Sequence, residues 1–551
     1  GGSVFLHSQS DYDNFDETDN LNDIAAALEA GFRFNDAQIV DEENNAGPSY
    51  ILTTTNLTTS EFSSYFEARR GIGAGPKFEV GQEYEATVES VDDGDTVTVS
   101  VGEGTEEIRI LGVDSPEKDV AAEAETPYEW PGLGGEPADS YPTLSSWGAE
   151  ATKFAEQELA GETVTLSFDE NEGISDPFGR LLCLIHYDAE GNGGHDTLYD
   201  QRLVETGHAR AFHSDLTGHD DFLRAELDAR ANDRGLWADS TPEDSSSFRN
   251  EEVSELFVPR PVTVGGQFDD SDVLVRAAES ADPAGAPLVV ADAENRVAVA
   301  GGLLANDAYE QPSGFEADTS GYGNYPFLTN VLTALADKDG DVLIIGGNGQ
   351  FSASGSITAE AASYYQRHLE GEGIDFNGVN DLANAGDLLA DARAVLVTAP
   401  TESFSDADLE ALSSFRDDGG AVVLMGSGAA ETGALVNLNS VAGTLGSDVT
   451  LGLSSVTDAE ANVAGRESIV ATSNFDASAS VFASFDGEAS LGGSTPTATE
   501  AMTETIGDDS DGDDTDAGTT ATEGPGFGAL TGVASIVGGA AYAVRNRLET
   551  E

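Results

Sequence analysis

Cysteine and lysine are almost missing from this chain of 551 residues. The single cysteine is Cys183, so no disulfide can form within the chain, and the sequence says little about its redox compartment. Lysine occurs only at positions 77, 118, 153 and 338, and Lys and Arg together number 24 against 102 Asp and Glu. The seven histidines lack the close spacing that binds zinc, so we predict no zinc site.

The formal net charge is −78, yet 39% of the residues are hydrophobic. That is enough apolar surface to build cores, which excludes a disordered polyanion. The composition resembles that of proteins from extremely halophilic archaea, which stay hydrated in molar salt. At 1 M salt the Debye length is about 3 Å, so the charge is screened beyond contact range. In dilute buffer the same charge would repel both itself and nucleic acid.

The C-terminal residues predict a surface anchor. Residues 491–524 are acidic and Thr-rich with almost no large apolar side chain, which predicts a disordered stalk. Residues 525–547 begin with Pro-Gly-Phe, continue as an uncharged apolar stretch that predicts a short helix, and close with two arginines. This order resembles the PGF-type C-terminal sorting signal of archaeal surface proteins, which implies replacement of the tail by lipid. A short transmembrane anchor is the alternative. Both predict an extracellular, cell-surface protein attached to the membrane.

An internal repeat with an offset near 417 residues organises much of the rest. GGSVFLHSQS from Gly1 parallels GGAVVLMGSG from Gly419, and NLNDIAAAL from Asn20 parallels NLNSVAGTL from Asn437. In the second copy, apolar runs alternate with helical patterns, which predicts an α/β domain with an open parallel sheet. This copy is similar to the class I glutamine-amidotransferase-like fold. Neither copy has the cysteine nucleophile, so the resemblance implies a noncatalytic branch of that fold.

The predicted organisation is therefore multidomain. Residues 1–73 would be the C-terminal part of a truncated amidotransferase-like domain, in a fragment of a longer protein. Residues 77–240 would form a different domain, residues 255–338 would continue the first amidotransferase-like domain, and residues 339–490 would form the second. Insertion of 77–240 into the first domain and a simple string of domains both remain open.

Residues 77–240 have the pattern of a small barrel. Apolar side chains alternate with polar ones near 84–89, 96–101, 106–113, 164–168 and 181–187, which predicts five strands. Helical spacing around 147–155 and 222–229 predicts helices beside them. About three helices with five strands indicate a small β-barrel. A long insertion, residues 118–143, is either a flap near the site or a plain surface loop.

Three short segments of this domain supply what a phosphodiesterase site needs. They are DDGDTV from Asp92, IRILGVDSPE from Ile108 and DPFGR from Asp176. Carboxylates can hold a cation and prepare a water molecule, and arginines can take up charge on phosphorus oxygens. Together with ETGHARAF from Glu205 and GLW from Gly235, these segments resemble the staphylococcal-nuclease-like (thermonuclease) family. The resemblance implies an OB-fold barrel and a calcium-dependent endonuclease that cleaves DNA or RNA to 3′-phosphate products.

The family's roles extend to matching positions of this sequence. The resemblance implies that Ca²⁺ is bound by Asp95, Asp114 and the backbone carbonyl of Ser115, with Asp93 behind them shaping the turn. It implies that Glu117 orients or deprotonates the attacking water. It also implies that the phosphate is clamped by two side chains, Arg109 and Arg180.

The aromatic positions depart from the family. Phe178 stands where the family often has a tyrosine, and Phe212 and His213 stand in place of later tyrosines that pack on the nucleotide. The rings can still stack on a base, but a hydroxyl contact is lost.

Every predicted site residue has a plain alternative. The first pair of acids could be an ordinary Asp-Gly turn, the next two could be surface acids, and each arginine could be a surface ion pair or a hairpin end. Chance would have to place all of them at family positions, which favours an enzyme. A noncatalytic cell-surface scaffold, whose barrel binds nucleic acid or another ligand, is the second function considered.

Overall fold

The structure is a computed structural model that describes residues 78–102, 104–118, 127–133, 137–176, 178–351 and 353–491. The predicted first domain part (1–73) and the predicted sorting signal (525–547) lie outside the described residues, as does all but the first residue of the predicted stalk.

The first folded unit is a closed β-barrel. Strands run antiparallel in the order β3-β2-β1-β5-β6, and β3 also pairs with β6 in parallel, which closes five strands into a ring. The strands of this unit are β1 Tyr84–Val91, β2 Thr96–Val101, β3 Gly104–Ile110, β4 Val113–Asp114, β5 Thr163–Ser167, β6 Leu181–Tyr187, β7 Thr197–Leu198 and β8 Arg210–Ala211. The predicted OB-like barrel is confirmed, because alternating residues such as Val97, Val99 and Ile108 fill its interior.

Three helices surround the barrel: α1 (Pro137–Leu159), α2 (Tyr199–Glu205) and α3 (His219–Ala231). The second half of α1 packs Ala155 and Leu159 into the barrel core. Leu144, in the first half of α1, belongs to a separate cluster with Trp130 and Trp237. Residues 127–133 of the 118–143 insertion are therefore packed against the barrel helices.

The second unit contains a seven-stranded sheet in the order β11-β12-β13-β17-β16-β14-β15, in which the last five strands are parallel. Two small sheets, β19-β20-β9 and β10-β18, lie beside it. The strands are β9 Leu256–Pro259, β10 Val262–Gly266, β11 Val273–Arg276, β12 Pro287–Asp292, β13 Val297–Ala300, β14 Asp341–Ile345, β15 Phe376–Val379, β16 Ala392–Val397, β17 Ala421–Met425, β18 Val449–Ser455, β19 Asn462–Val463 and β20 Arg466–Thr472.

Helices flank this sheet, as the repeat pattern predicts. They are α4 Asn324–Leu335, α5 Ser363–Gly371, α6 Asp387–Asp391, α7 Asp406–Asp417 and α8 Thr432–Thr444. Ser405 caps the N-terminus of α7 and forms a reciprocal capping box with Asp408. Short 3₁₀ turns in the two units are Pro127–Glu129, Gly235–Asp239, Pro242–Asp244, Asp270–Asp272, Asp307–Tyr309, Gln311–Ser313, Ala359–Ala361, Leu382–Asn384 and Ser480–Phe482.

The predicted division between residues 255–338 and 339–490 is wrong. Strand β13, from the first range, pairs in parallel with β17 from the second, so both ranges build one sheet. Their apolar residues also share cores; for example, Val299 and Leu424 belong to the same cluster. We call this single body, residues 256–491, the α/β unit.

The barrel unit is packed firmly against the α/β unit. Leu223 of α3 enters a hydrophobic cluster of the α/β unit. Tyr128 of the insertion stacks on Phe248 with ring centroids 5.8 Å apart and meets Tyr364 of α5 edge-on at 4.9 Å. Over the part of the chain that the structure describes, no helix has both the length and the apolar character needed to cross a membrane.

Candidate active site

The turn between β1 and β2 places the first two acids. The side chain of Asp93 accepts a hydrogen bond from the backbone N–H of Asp95 at 3.3 Å, and both carboxylates are buried. A Cβ atom on Gly94 would lie 2.8 Å from the Ser115 side chain and 2.9 Å from Ala151. Glycine is therefore required here because two other segments approach the turn closely.

Asp95 joins the turn to the loop after β3. Its Oδ2 accepts a hydrogen bond from the backbone N–H of Ser115 at 2.7 Å and pairs with Nη1 of Arg109 at 2.9 Å. Its Oδ1 accepts from the hydroxyl of Thr96 at 3.2 Å. Burial raises the pKa of Asp95 to about 6, although Arg109 opposes this shift. The site therefore holds a buried carboxylate whose charge is balanced in part by Arg109.

Arg109, on β3, connects two of the predicted site acids. Its Nη2 binds Oδ1 of Asp114 at 3.0 Å while Nη1 binds Asp95, and Nη1 also donates to the carbonyl of Val113 at 3.0 Å. Burial disfavours the charge of this guanidinium, but surrounding carboxylates outweigh the burial and raise its pKa above the usual value; they are Asp95, Asp114, Asp93 and Glu117. The Asp95 side chain is buried, whereas the Asp114 side chain is 26% exposed, so solvent reaches the cluster at Asp114.

Glu117 is positioned by helix α1. A Cβ atom on Gly148 would lie 2.3 Å from the carbonyl oxygen of Pro116 and 2.6 Å from the carbonyl carbon of Glu117. One turn earlier, the Ser145 hydroxyl donates to the carbonyl of Lys118 at 2.6 Å. The helix thus presses directly on the backbone that carries the predicted general base.

Replacing Gly148 with alanine should therefore displace Glu117. Because the added methyl group meets backbone atoms that cannot rotate away, we expect kcat for nucleic-acid cleavage to fall about 10- to 100-fold, the cost of a misplacement of roughly 1 Å. The matched control is Gly433→Ala in α8, where the added Cβ meets nothing within 4 Å. Cleavage assays with both variants test this, and equal rates would contradict the role given to Gly148.

Arg180 lies in the turn that leads into β6. The next residue but one, Leu182 on β6, pairs in register with Arg109 on β3, so the two arginines lie close to neighbouring strands of the barrel. The Nε of Arg180 binds Oδ2 of Asp176 at 2.6 Å, and Oδ1 of Asp176 accepts the backbone N–H groups of Phe178 and Arg180, each at 2.9 Å. Asp176 was not among the predicted site residues, and it fixes the turn that carries Arg180.

The three predicted stacking residues lie in two places. Phe178 is 51% exposed, and the guanidinium of Arg180 lies 5.7 Å from its ring centroid, which leaves a ring face near the arginine for a base. Phe212 instead meets Phe351 of the α/β unit edge-on at 6.0 Å. Nδ1 of His213 is 2.8 Å from Nε2 of His219 at the same junction. Stacking by Phe212 and His213 stays a prediction, and their rings contact protein here.

Comparison with known proteins matches the segment that contains most of this site. A family model described as staphylococcal nuclease homologue matches residues 107–239. An uncharacterized protein of Methanocaldococcus jannaschii, MJ1439, is 36% identical over 156 residues, which are 28% of this chain and 72% of that protein. Through this segment the chain belongs to the staphylococcal nuclease family. A thermonuclease of Staphylococcus hyicus is 27% identical over 119 residues, which are 22% of this chain and 54% of that protein.

The matched segment, residues 107–239, contains most of the predicted site. Residues inside it are Arg109, Asp114, Ser115, Glu117 and Arg180, whereas the turn with Asp93 and Asp95 lies just before it. The structure connects that turn to the matched segment through the Asp95 contacts with Arg109 and Ser115. The catalytic and metal-binding roles of these residues stay predictions.

One residue next to this family site was missed from sequence. Arg210, in the segment ETGHARAF, lies directly opposite Asp114 in the short β4–β8 ladder, and its Nη2 binds Oδ2 of Asp114 at 3.0 Å. The same guanidinium binds Glu129 of the insertion at 2.9 Å and Glu360 of the α/β unit at 2.8 Å. The sequence signal was an arginine inside an apolar strand, but its partners are too far along the chain to be inferred.

The family's calcium ion can be compared with the donors present. In the described ranges, no group of three or more His, Cys, Asp or Glu side chains is arranged to hold a metal ion. Asp95, Asp114 and the Ser115 carbonyl nevertheless offer only hard oxygen donors, the type that calcium prefers alongside water. Burial raises the pKa of Asp95 to about 6, and Arg109 opposes this shift. The chemistry of this donor set fits calcium.

Proposed function

We propose that the barrel is a calcium-dependent endonuclease that hydrolyses phosphodiester bonds of DNA or RNA. The observation that carries this proposal is Arg109, which bridges Asp95 and Asp114 at the point where the cluster opens to solvent. In a chain with 24 Lys and Arg residues, it is a specific feature that Arg180 leads into the strand β6 whose Leu182 pairs in register with Arg109. Such a site suits an anionic substrate that is held at one phosphate.

Three residues have separate roles in one in-line displacement at phosphorus. Glu117 takes a proton from a water molecule as the water oxygen bonds to phosphorus. Arg109 and Arg180 donate hydrogen bonds to the non-bridging phosphate oxygens, whose charge grows in the pentacoordinate transition state. The bond from phosphorus to the 5′-oxygen then breaks, and this oxygen takes up a proton from solvent water, which gives a 3′-phosphate and a 5′-hydroxyl end.

Calcium would be held by Asp95, Asp114 and the carbonyl of Ser115. When bound, it supplies positive charge beside the phosphate under attack. Asp93 supports this donor set from behind, because its carboxylate accepts the backbone N–H of Asp95. Phe178, exposed next to Arg180, supplies a ring on which a neighbouring base stacks.

We further propose that the enzyme works outside the cell, anchored to the membrane by its C-terminal segment, in concentrated salt. The support is compositional: a net charge of −78, four lysines, and the Thr-rich segment that leads to Pro-Gly-Phe and an apolar tail. A surface nuclease in brine would act on extracellular nucleic acid. Salt also screens the repulsion between this acidic protein and its substrate.

The proposal is tested with labelled single-stranded DNA and RNA in molar salt, with calcium and with a chelator. We expect cleavage that requires calcium and leaves 3′-phosphate ends, which a phosphatase removes. The noncatalytic scaffold predicts a different result, namely binding of the oligonucleotides without cleavage under either condition. Cleavage that is indifferent to the chelator would contradict the calcium site.

A further inference from the structure

Three segments that are distant in sequence meet at the guanidinium of Arg210. Its Nη2 lies 3.0 Å from Oδ2 of Asp114 and 2.9 Å from Oε2 of Glu129. Its Nη1 and Nη2 bind the two carboxylate oxygens of Glu360, each at 2.8 Å, as a bidentate pair. The side chains of Arg210 and Glu360 are only 6% and 3% exposed. The predicted metal-binding loop, the insertion and the α/β unit therefore all contact the one buried guanidinium of Arg210.

Glu360 is directed entirely toward the barrel. It lies in the 3₁₀ turn Ala359–Ala361, just before α5, and besides Arg210 it accepts the backbone N–H of His213 at 2.8 Å. All three of these donors belong to the barrel unit. A carboxylate this deeply buried is costly unless it is fully paired, so the pairing fixes where the α/β unit meets the barrel.

Arg210 also competes with any metal ion for Asp114. In the structure one oxygen of Asp114 pairs with Arg109 and the other with Arg210. Glu360 binds the same guanidinium through both of its oxygens at 2.8 Å, and Glu129 binds it at 2.9 Å. These two acids therefore share with Asp114 the hydrogen bonds that Arg210 can donate.

We propose that Arg210 and Glu360 are positioning residues for the nuclease site. Through this pair, the α/β unit controls the orientation of Asp114, a predicted calcium ligand. This rests on the proposed function. Arg210 sets the orientation of Asp114, and Glu360 keeps Arg210 from binding that carboxylate too tightly. Partners of this kind, which orient a metal ligand, typically change metal affinity 10- to 100-fold when they are removed.

The test uses the whole chain with Glu360→Gln, which keeps the shape of the side chain and removes its charge. Calcium binding is measured by titration calorimetry without substrate, and half-maximal calcium is measured in the cleavage assay. We expect the dissociation constant for calcium and the half-maximal calcium concentration each to rise about tenfold. The reason is that Arg210 then binds Asp114 more strongly and that one negative charge is lost near the ion. KM for DNA should stay the same, since Glu360 does not face the substrate.

Glu370→Gln is the matched control. Glu370 lies on α5, is buried like Glu360, and pairs with Arg367 at 2.7 Å and not with Arg210. Loss of the Glu370 charge should lower the thermal unfolding midpoint about as much as Glu360→Gln does. It should leave the calcium dissociation constant and the half-maximal calcium concentration unchanged. If Glu360→Gln does not fold, Glu129→Gln replaces it, because Glu129 binds the same guanidinium from a more exposed position, 16% against 3%.

The outcomes separate this inference from the proposed function. A wild-type protein that binds no calcium and cleaves nothing overturns the proposed function, and this inference with it. A wild-type protein that does both, together with variants of Glu360 and Glu129 whose calcium constants match wild type, overturns the inference alone. A shift in Glu360→Gln that the Glu370→Gln control does not share supports it.

Discussion

Replacing Arg109 with lysine is expected to lower kcat for nucleic-acid cleavage by about 10²- to 10³-fold, comparable with the loss of one donor to a transition-state oxyanion. The guanidinium now reaches Asp95 through Nη1 and Asp114 through Nη2, at 2.9 and 3.0 Å. A lysine ammonium is a point charge and cannot bridge both carboxylates in this planar fork. It also cannot offer a phosphate two parallel hydrogen bonds.

The fold should survive this change, because lysine keeps a positive charge beside buried Asp95. Circular dichroism and the thermal unfolding midpoint check this point. Arg276→Lys is the control, since Arg276 lies on β11 of the α/β unit, forms an ion pair with exposed Asp270 at 2.8 Å and donates to the carbonyl of Gly285 at 3.4 Å. A lysine variant at 109 with wild-type kcat would show that the fork has no part in catalysis.

Transfer from about 3 M to 0.1 M salt is expected to lower the unfolding midpoint by more than about 10 °C at pH 7. The chain carries a net charge of −78, and the Debye length grows from about 2–3 Å to about 10 Å over this range, so repulsion between the acids is no longer screened. Differential scanning calorimetry across the salt series measures the effect.

Salt also strengthens hydrophobic burial in any protein, so this prediction needs a control for charge. Near pH 4 many Asp and Glu side chains are protonated, and the salt dependence should shrink there if repulsion is its cause. A midpoint that does not change between 0.1 and 3 M salt at pH 7 would contradict adaptation to brine.

Local patterns predicted the elements of both units well. Alternation of apolar residues in β1, β2, β5 and β6 identifies strands because each has one face in the barrel core. The Asp93–Asp95 turn and the run from Arg109 to Glu117 lie within single segments, so their side-chain types were visible in sequence.

Long-range contacts were not predictable in the same way. Pairing of β13 with β17 joins residues about 125 positions apart, and nothing in either strand identifies its partner. For this reason the sequence pattern predicts two domains on either side of residue 338, where the structure has one sheet. Arg210 and Glu360 are 150 positions apart. A charged residue inside an apolar segment announces that it needs a partner, but only the packed structure shows which one.

The central claim is that the barrel hydrolyses phosphodiester bonds with Glu117 as its base. It is tested most directly by comparing plasmid degradation by the wild-type protein and Glu117→Gln in molar salt with calcium. Glu162→Gln, an exposed acid of the same barrel, serves as the control. We predict rapid degradation by the wild type and the control, and a rate about 10²- to 10⁴-fold lower for Glu117→Gln. Equal rates for all three proteins would contradict the claim.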